Sequence, residues 1–369
     1  MIALTLDTLL PYVLPHLSPA LASEDTIPTL YEMAGLLPPV GRGGFECRLA
    51  PGDAQVDLHQ LIKRSYGEHH VLASYLSQPE VEVRRTGAAW AALRRFASWW
   101  SGEDAEAAAL ISSIFLELDG NATPAPSVFF KLGGPEGVVA AQAQRLVDEV
   151  FDAMALPPPP ARVRDVITAV GDEPARLTHV GVMLSRSTSA LRLNVAACSI
   201  EAIPGLLRAL GWPGDHDALE REIEGVAPHV EKIVCALDVG ETVYPHVGLE
   251  CFPDEQGGPG NRWRGFLDAL THRGLCNPEK AAGFLAFQRL VLPSTASKPW
   301  PDPLVRYALT TERKGFSTIA CMVHHVKLTL APGRPVNAKG YLGFGHQWVD
   351  SAHKEITEPA VGHTLVLNH

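Results

Sequence analysis

The stretch Lys232–Phe252, KIVCALDVGETVYPHVGLECF, decides the fold class. Lys232 and Asp238 fall on one face of its first half. In its second half Tyr244, His246 and Glu250 oppose Val243, Val247 and Leu249. A period of two is the period of a β-strand, whose side chains point alternately to opposite faces. The connection between the halves is too short for a crossover, so the two strands form an antiparallel hairpin. Helical sequence follows: NRWRGFLDALTHRGL from Asn261, then PEKAAGFLAFQRLV from Pro278.

The same unit, a strand pair followed by helix, occurs five times between residues 40 and 346. The first pair is Phe45–Leu49 and Gln55–Ile62, turned by Ala50-Pro51-Gly52-Asp53. Ser113–Asp119 pairs with Ser127–Leu132, and His179–Ser185 with Ala190–Ala197. Lys232–Val239 with Thr242–Phe252 is the fourth pair, and Ile319–Leu330 with Ala338–Gly345 the fifth. Ten antiparallel strands do not build a doubly wound parallel sheet. There is no G-x-G-x-x-G after a strand, no Walker A motif and no G-x-S-x-G elbow.

The polar faces carry the functional information. Glu46 and Arg48 oppose Phe45, Cys47 and Leu49; Glu117 and Asp119 oppose Leu116 and Leu118; Arg192 and Asn194 oppose Leu191, Leu193 and Val195. His325, Lys327 and Thr329 oppose Val326, Leu328 and Leu330, and Lys339 and Tyr341 oppose Leu342 and Phe344. Helices need an apolar sheet face to pack on, so the polar face points away from them. The expected architecture is α+β: a closed ten-stranded antiparallel β-barrel of five αββα repeats, with the helices outside and the polar face lining the lumen. The competing architecture is an open sheet with one solvated face. Residues 1–40 read as an N-terminal helical extension and 41–369 as a single barrel domain.

Composition narrows the function. The chain has 369 residues, 46% hydrophobic, and a net charge of −10 from 41 Asp and Glu against 31 Lys and Arg. That suits a large buried core and disfavours nucleic-acid or anionic-membrane binding. No apolar run approaches the roughly 18 residues of a membrane span. The opening MIALTLDTLLPYVLPHLSPALA lacks a basic leader and is interrupted by Asp7 and Pro11, so it reads as helix rather than signal peptide. The six cysteines, at 47, 198, 235, 251, 276 and 321, are scattered without C-x-x-C, which predicts reduced core thiols and a cytoplasmic protein. The adjacent pairs His69-His70 and His324-His325 lack the spacing of a helical zinc site, and no metal centre is expected.

At this point the chain resembles the ABBA aromatic prenyltransferases, the αββα-repeat barrel family, nearest the dimethylallyltryptophan-synthase-like branch. GGFECRL (43–49) resembles that branch's first strand, which carries a catalytic acid, and Glu46 takes that place. CALDVG (235–240) followed by YPHVGLEC (244–251) resembles the strand pair that carries an aspartate and then an Arg/Lys-rich strand. Asp238 matches, and His246 stands where a lysine is expected. LRLNV (191–195) and AKGYLGF (338–344) resemble strands that offer Arg, Lys and Tyr to a diphosphate.

The resemblance implies transfer of an isoprenyl group from an allylic diphosphate to an aromatic or nitrogen-rich acceptor. The leaving diphosphate needs fixed cations in a dry site. Arg48, Arg192, Lys232, Lys327 and Lys339 share the lumen phase, and Tyr341 can both hydrogen-bond a phosphate and shield a carbocation. Glu46 is the first candidate for the base and Glu250 the second, with His246 as base or acceptor-orienting group. Glu117, Asp119 and Asp238 are assigned to acceptor binding. A lumen this rich in carboxylates points to a polar or cationic acceptor, a small molecule or a peptide side chain. No cofactor is required, and magnesium would enter on the diphosphate. Two other readings compete. One is a guanidine-modifying enzyme on a fivefold α/β propeller, using Cys321, His246, Asp119 and Glu250. The other is a non-catalytic barrel that binds a peptide or lipid.

Overall fold

The computed structural model describes residues 4–102, 106–120, 125–133, 138–186, 188–253, 261–310 and 315–349. Its strands are β1 Arg42–Arg48, β2 Val56–Lys63, β3 Ile111–Leu118, β4 Ser127–Leu132, β5 Ala175–Val182, β6 Leu191–Ala197, β7 Lys232–Val239, β8 Val243–Phe252, β9 Arg289–Val291, β10 Phe316–Leu330 and β11 Asn337–Val349. Neighbours pair antiparallel in the order β1 through β8, then β10, then β11. The ring closes because β11 pairs with both β10 and β1, in a register running from Arg42↔Gly345 to Arg48↔Lys339. Ten strands therefore form a closed barrel with helices around it, as the alternation predicts.

One element differs from the sequence reading. Arg289–Val291, expected at the end of a helix, is β9, a short strand paired with Ile319–Cys321 of β10. Strand β10 is fifteen residues long, and β8 pairs only with Val326–Leu330. The N-terminal half of β10 would otherwise leave backbone groups without partners on that side, and β9 supplies them. Residues 135–137, at the start of the helical sequence after the second strand pair, Ser187 and the tail beyond 349 lie outside the described residues.

The outward face of the barrel is apolar, and the helices bury it. Phe45, Leu58, Ile114, Leu193, Leu237 and Val326 are each 0% exposed and share one cluster with helical Phe96, Trp100, Trp263 and Phe266. Phe96 of helix Ala88–Ser101 meets Phe130 of β4 at 4.9 Å between ring centroids. Truncating a buried aromatic of this kind costs about 3–5 kcal/mol. The N-terminal helices Leu6–Val13 and Ile27–Leu36 add Leu6, Leu9, Leu10 and Leu30 to the same cluster. All six cysteines are unbridged thiols, and only Cys198 is exposed. Among the described residues no helix is long and apolar enough to cross a membrane.

Candidate active site

Each hairpin turns at one end of the barrel and hands over to helices at the other. The lumen divides accordingly into two chambers. The chamber at the hairpin end, about 500 Å³, is of mixed charge, with the carboxylates Glu46, Asp57, Glu117 and Asp119 facing the cations Arg186, Arg192, Lys327, Arg334 and Lys339. The chamber at the helix end, about 620 Å³, carries Lys131, Arg176 and Lys232 and several aromatic rings. His59, Glu117, Arg192, Lys327 and Tyr341 line both and so form the waist between them.

The hairpin-end chamber is built around Glu46. Lys339 donates to Glu46 Oε1 at 2.6 Å, Arg48 Nη1 donates to the same oxygen at 2.6 Å, and the Tyr341 hydroxyl donates to Oε2. The pairing Glu46↔Tyr341 across β1 and β11 brings these groups together. Burial alone would raise the Glu46 carboxyl. The charges of Lys339 and Arg48, with hydrogen bonds from Lys339 and Tyr341, outweigh it and hold the carboxyl well below the usual carboxylate range. The other arm of Arg48 is fixed by Asp57 Oδ2 at 2.7 Å. Arg48 is therefore clamped between two carboxylates and lines neither chamber.

A second cluster sits across the lumen. Arg192 donates to Asp238 through Nε at 2.7 Å and Nη2 at 2.9 Å, a bidentate fork, and His246 Nε2 lies 2.7 Å from Asp238 Oδ2. Burial acts to raise the Asp238 carboxyl. The hydrogen bonds from His246 and Arg192 and their charges reverse that and depress it strongly. Asp238 thus orients both neighbours. Asn194 donates to Glu250 at 3.0 Å, and Lys327 stands 3.4 Å from the same oxygen. Gly248 leaves room for that lysine, since a Cβ there would lie 2.3 Å from Lys327 Cε. Asp119 pairs with Arg186 at 3.3 Å near the hairpin mouth.

Glu117 is different. No hydrogen bond or ion pair to another described residue holds its carboxylate, which faces the waist. Burial, reinforced by the charge of Glu46, pushes it up to about 7 against the opposing pull of Arg192 and Lys327. A carboxyl near 7 is poised to take up or release a proton at neutral pH.

Sequence reasoning passed over several residues of the lumen. Asp57 and His59 lie in phase on β2, and Lys131 and Phe129 on β4; the alternation of those strands was the signal that could have found them. His324 required the structure, whereas alternation alone places His325 on the polar face with Lys327. A bulge between Val323 and His325 turns both imidazoles toward the lumen, 2.6 Å apart through their Nδ1 atoms. His325 stacks on Tyr341 with centroids 4.1 Å apart. Burial lowers His59 to about 4, so it is neutral at physiological pH. Of the cations expected to converge, Arg192 and Lys327 stand at the waist, Lys339 in the hairpin-end chamber and Lys232 in the helix-end one. Among the described residues no group of three or more His, Cys, Asp or Glu side chains could hold a metal ion.

Cys321 lies on the opposite face of β10 from Met322, which lines the lumen. It is 1% exposed in the core, and burial pushes its thiol up to about 12. A guanidine-modifying site would need that thiol beside His246 and Glu250, and the closed barrel puts a sheet between them.

No protein-family model matches the chain. No curated protein matches it either. Solved structures do match. A 6-dimethylallyl tryptophan synthase superposes with a TM-score of 0.54 over 91% of this chain and 94% of its own, at 12% identity. Its fold is that of the ABBA prenyltransferases. The apo form of prenyltransferase PriB gives 0.53 over 95% and 96%, at 12% identity. The 5-dimethylallyl tryptophan synthase of Streptomyces coelicolor, in complex with DMASPP and Trp, gives 0.52 over 99% of both chains, at 13% identity. At these identities the likeness is one of fold. Within that ABBA barrel, what this chain does is argued from its own lumen.

Proposed function

We propose that this chain is a prenyltransferase, moving an isoprenyl group from an allylic diphosphate to an aromatic or nitrogen-rich acceptor inside the barrel. The observation that carries the reading is the waist. There a carboxyl near 7, Glu117, faces a lumen with cations and aromatic rings on one side and interleaved carboxylates and cations on the other. The allylic C–O bond breaks, and its electron pair leaves on the diphosphate oxygen. Ring faces of Tyr341 and Phe115 shield the cation. A carbon or nitrogen of the acceptor forms the new bond, and its displaced proton passes to Glu117. Glu46 keeps Tyr341 oriented while remaining ionised. The structures of related fold support this reading, since one is solved with DMASPP and Trp.

The hairpin-end chamber, about 500 Å³, has room for an indole, imidazole or guanidine group, whether on a free molecule or on a peptide side chain. Magnesium would arrive as a counter-ion of the diphosphate. The unbridged thiols fit a reducing compartment such as the cytoplasm. The test is incubation with dimethylallyl or geranyl diphosphate and a panel of tryptophan, histidine, arginine and peptides containing them. Mass spectrometry should show an acceptor heavier by one isoprenyl unit, with one pyrophosphate released per product. Hydrolysis without transfer across the whole panel would count against it.

A further inference from the structure

Lys280 is a buried charge that lines neither chamber. It lies in the first turn of the helix Pro278–Ala286 and is 5% exposed. Phe284, one turn on, packs where Gly340 of β11 has no side chain; a Cβ there would lie 2.5 Å from its ring. Gly340 pairs with Cys47 of β1, so this helix lies over the seam that closes the barrel, on its outer side. Glu46 and Tyr341 meet across the same seam on its inner side.

An ammonium has three N–H donors. Those of Lys280 go to main-chain oxygens of the β1–β2 connection: Arg48 O at 2.9 Å, Ala50 O at 2.8 Å and Asp53 O. Beside them the Asn277 N–H donates to Leu49 O at 3.0 Å. Residues 49–55 make a connection too long for a two-residue hairpin turn, and its carbonyls have no ladder to join, so the helix supplies their donors. Burying an ammonium is costly, and a methionine would fill much the same space without that cost. What the ammonium adds is a fixed main chain. Arg48, whose carbonyl it holds, sends its guanidinium to Glu46 at 2.6 Å and to Asp57 at 2.7 Å. From the far end of the connection Gln55 Nε2 donates to Asp57 Oδ1 at 2.9 Å. Ala50 lines the hairpin-end chamber itself, whereas residues 48–55 contribute nothing to the lining of the helix-end one.

We propose that Lys280 is a positioning residue for the acceptor. From outside the barrel it holds the β1–β2 connection and the main chain of Arg48, and through Arg48 it sets Glu46 and one wall of the hairpin-end chamber. This rests on the prenyl-transfer reading, in which that chamber receives the acceptor. Loosening the connection therefore weakens the acceptor's fit and leaves the donor's nearly unchanged.

The experiment compares wild type with K280M, which keeps the length of the side chain and loses its donors. L93A, a truncation in the core helix Ala88–Ser101, is the control for lost stability alone. Steady-state kinetics use dimethylallyl or geranyl diphosphate and whichever acceptor of the panel gives product. In K280M the acceptor KM should rise about tenfold or more while the donor KM stays within about twofold, the mark of a misplaced wall on one side only. L93A should lower Tm and move neither KM. Urea unfolding of K280M, E46Q and the double variant gives a readout without turnover. Their effects on the unfolding constant should fall short of additive by about threefold or more, because each loosens Arg48. K280Q, which keeps two donors, replaces K280M if thermal unfolding shows that K280M does not fold. An unchanged acceptor KM, a rise in both KM values together, or additive unfolding constants overturns the positioning role alone. A wild type that transfers nothing across the panel overturns the prenyl-transfer reading; sub-additive unfolding then still places Lys280 behind Glu46, and additive unfolding removes both.

Discussion

Replacing Glu117 by Gln should stabilise the folded chain at pH 8 and change it far less at pH 5. The carboxyl rises from an ordinary 4.5 to about 7 on folding. For an acid shifted upward, the folded state holds its proton more tightly than the unfolded state. Stability is therefore fully present below 4.5 and is lost as pH rises from 4.5 to about 7. The cost of ionising Glu117 in the barrel is about 1 kcal/mol at pH 5 and on the order of 3 kcal/mol at pH 8, from 1.36 kcal/mol per pH unit. Glutamine carries no such cost, and no hydrogen bond to another described residue is lost with the carboxylate. Urea unfolding at the two pH values measures the difference directly. The same variant should lose about 10²–10⁴ in turnover, the range of general base catalysis. Its kcat/KM should also lose the acidic limb, centred near pH 7, expected of the wild type. A stability difference that is the same at both pH values would refute the perturbed carboxyl, and with it the assignment of Glu117 as base.

Asp238→Asn should destabilise the fold by roughly 3–5 kcal/mol at neutral pH, because Arg192 is left with an unmatched buried charge. Asp238 is strongly depressed on folding, so its contribution is complete above its ordinary value near 3.8 and is lost as pH falls from there through the depressed folded value; in urea the gap between wild type and variant should be smaller at pH 3 than at pH 7 without closing. Glu46→Gln should cost a similar amount, since Arg48 and Lys339 share that carboxylate, and should lower turnover more than donor affinity; unchanged stability would mean the three-way cluster does not form in solution. Cys321→Ala should leave turnover at the wild-type level, and native protein should not alkylate there, because the thiol is buried on the helix side of β10; selective loss of turnover would revive the guanidine-modifying chemistry.

Much of the site was legible in residue type and phase. Glu46, Glu117, Arg192, Lys327 and Tyr341 were read as lumen residues from alternation alone, and they do line it. Their partners were not legible. Lys339 reaches Glu46 across 293 positions of sequence, and only the closing pair β1–β11 brings them together. His324 was hidden because a strict period of two puts it on the outer face. The bulge at Val323/His325 cancels that period for one residue.

By itself the sequence determined the ten barrel strands, their hairpins and the side of each strand that is polar, since backbone geometry ties side-chain direction to position with a period of two. It also determined that helices cover the other side, because an apolar face of that extent cannot stay in water. The tertiary structure alone decided height along the barrel. Strands in a closed barrel tilt and stagger, so residues on one face at similar places in their strands separate into different layers. The opposite directions of β7 and β11 put Lys232, at the start of one, at the helix end and Lys339, near the start of the other, at the hairpin end, and the closed ring leaves Glu117 at the waist between them. Phase is a local property of the chain, whereas height depends on how all ten strands close.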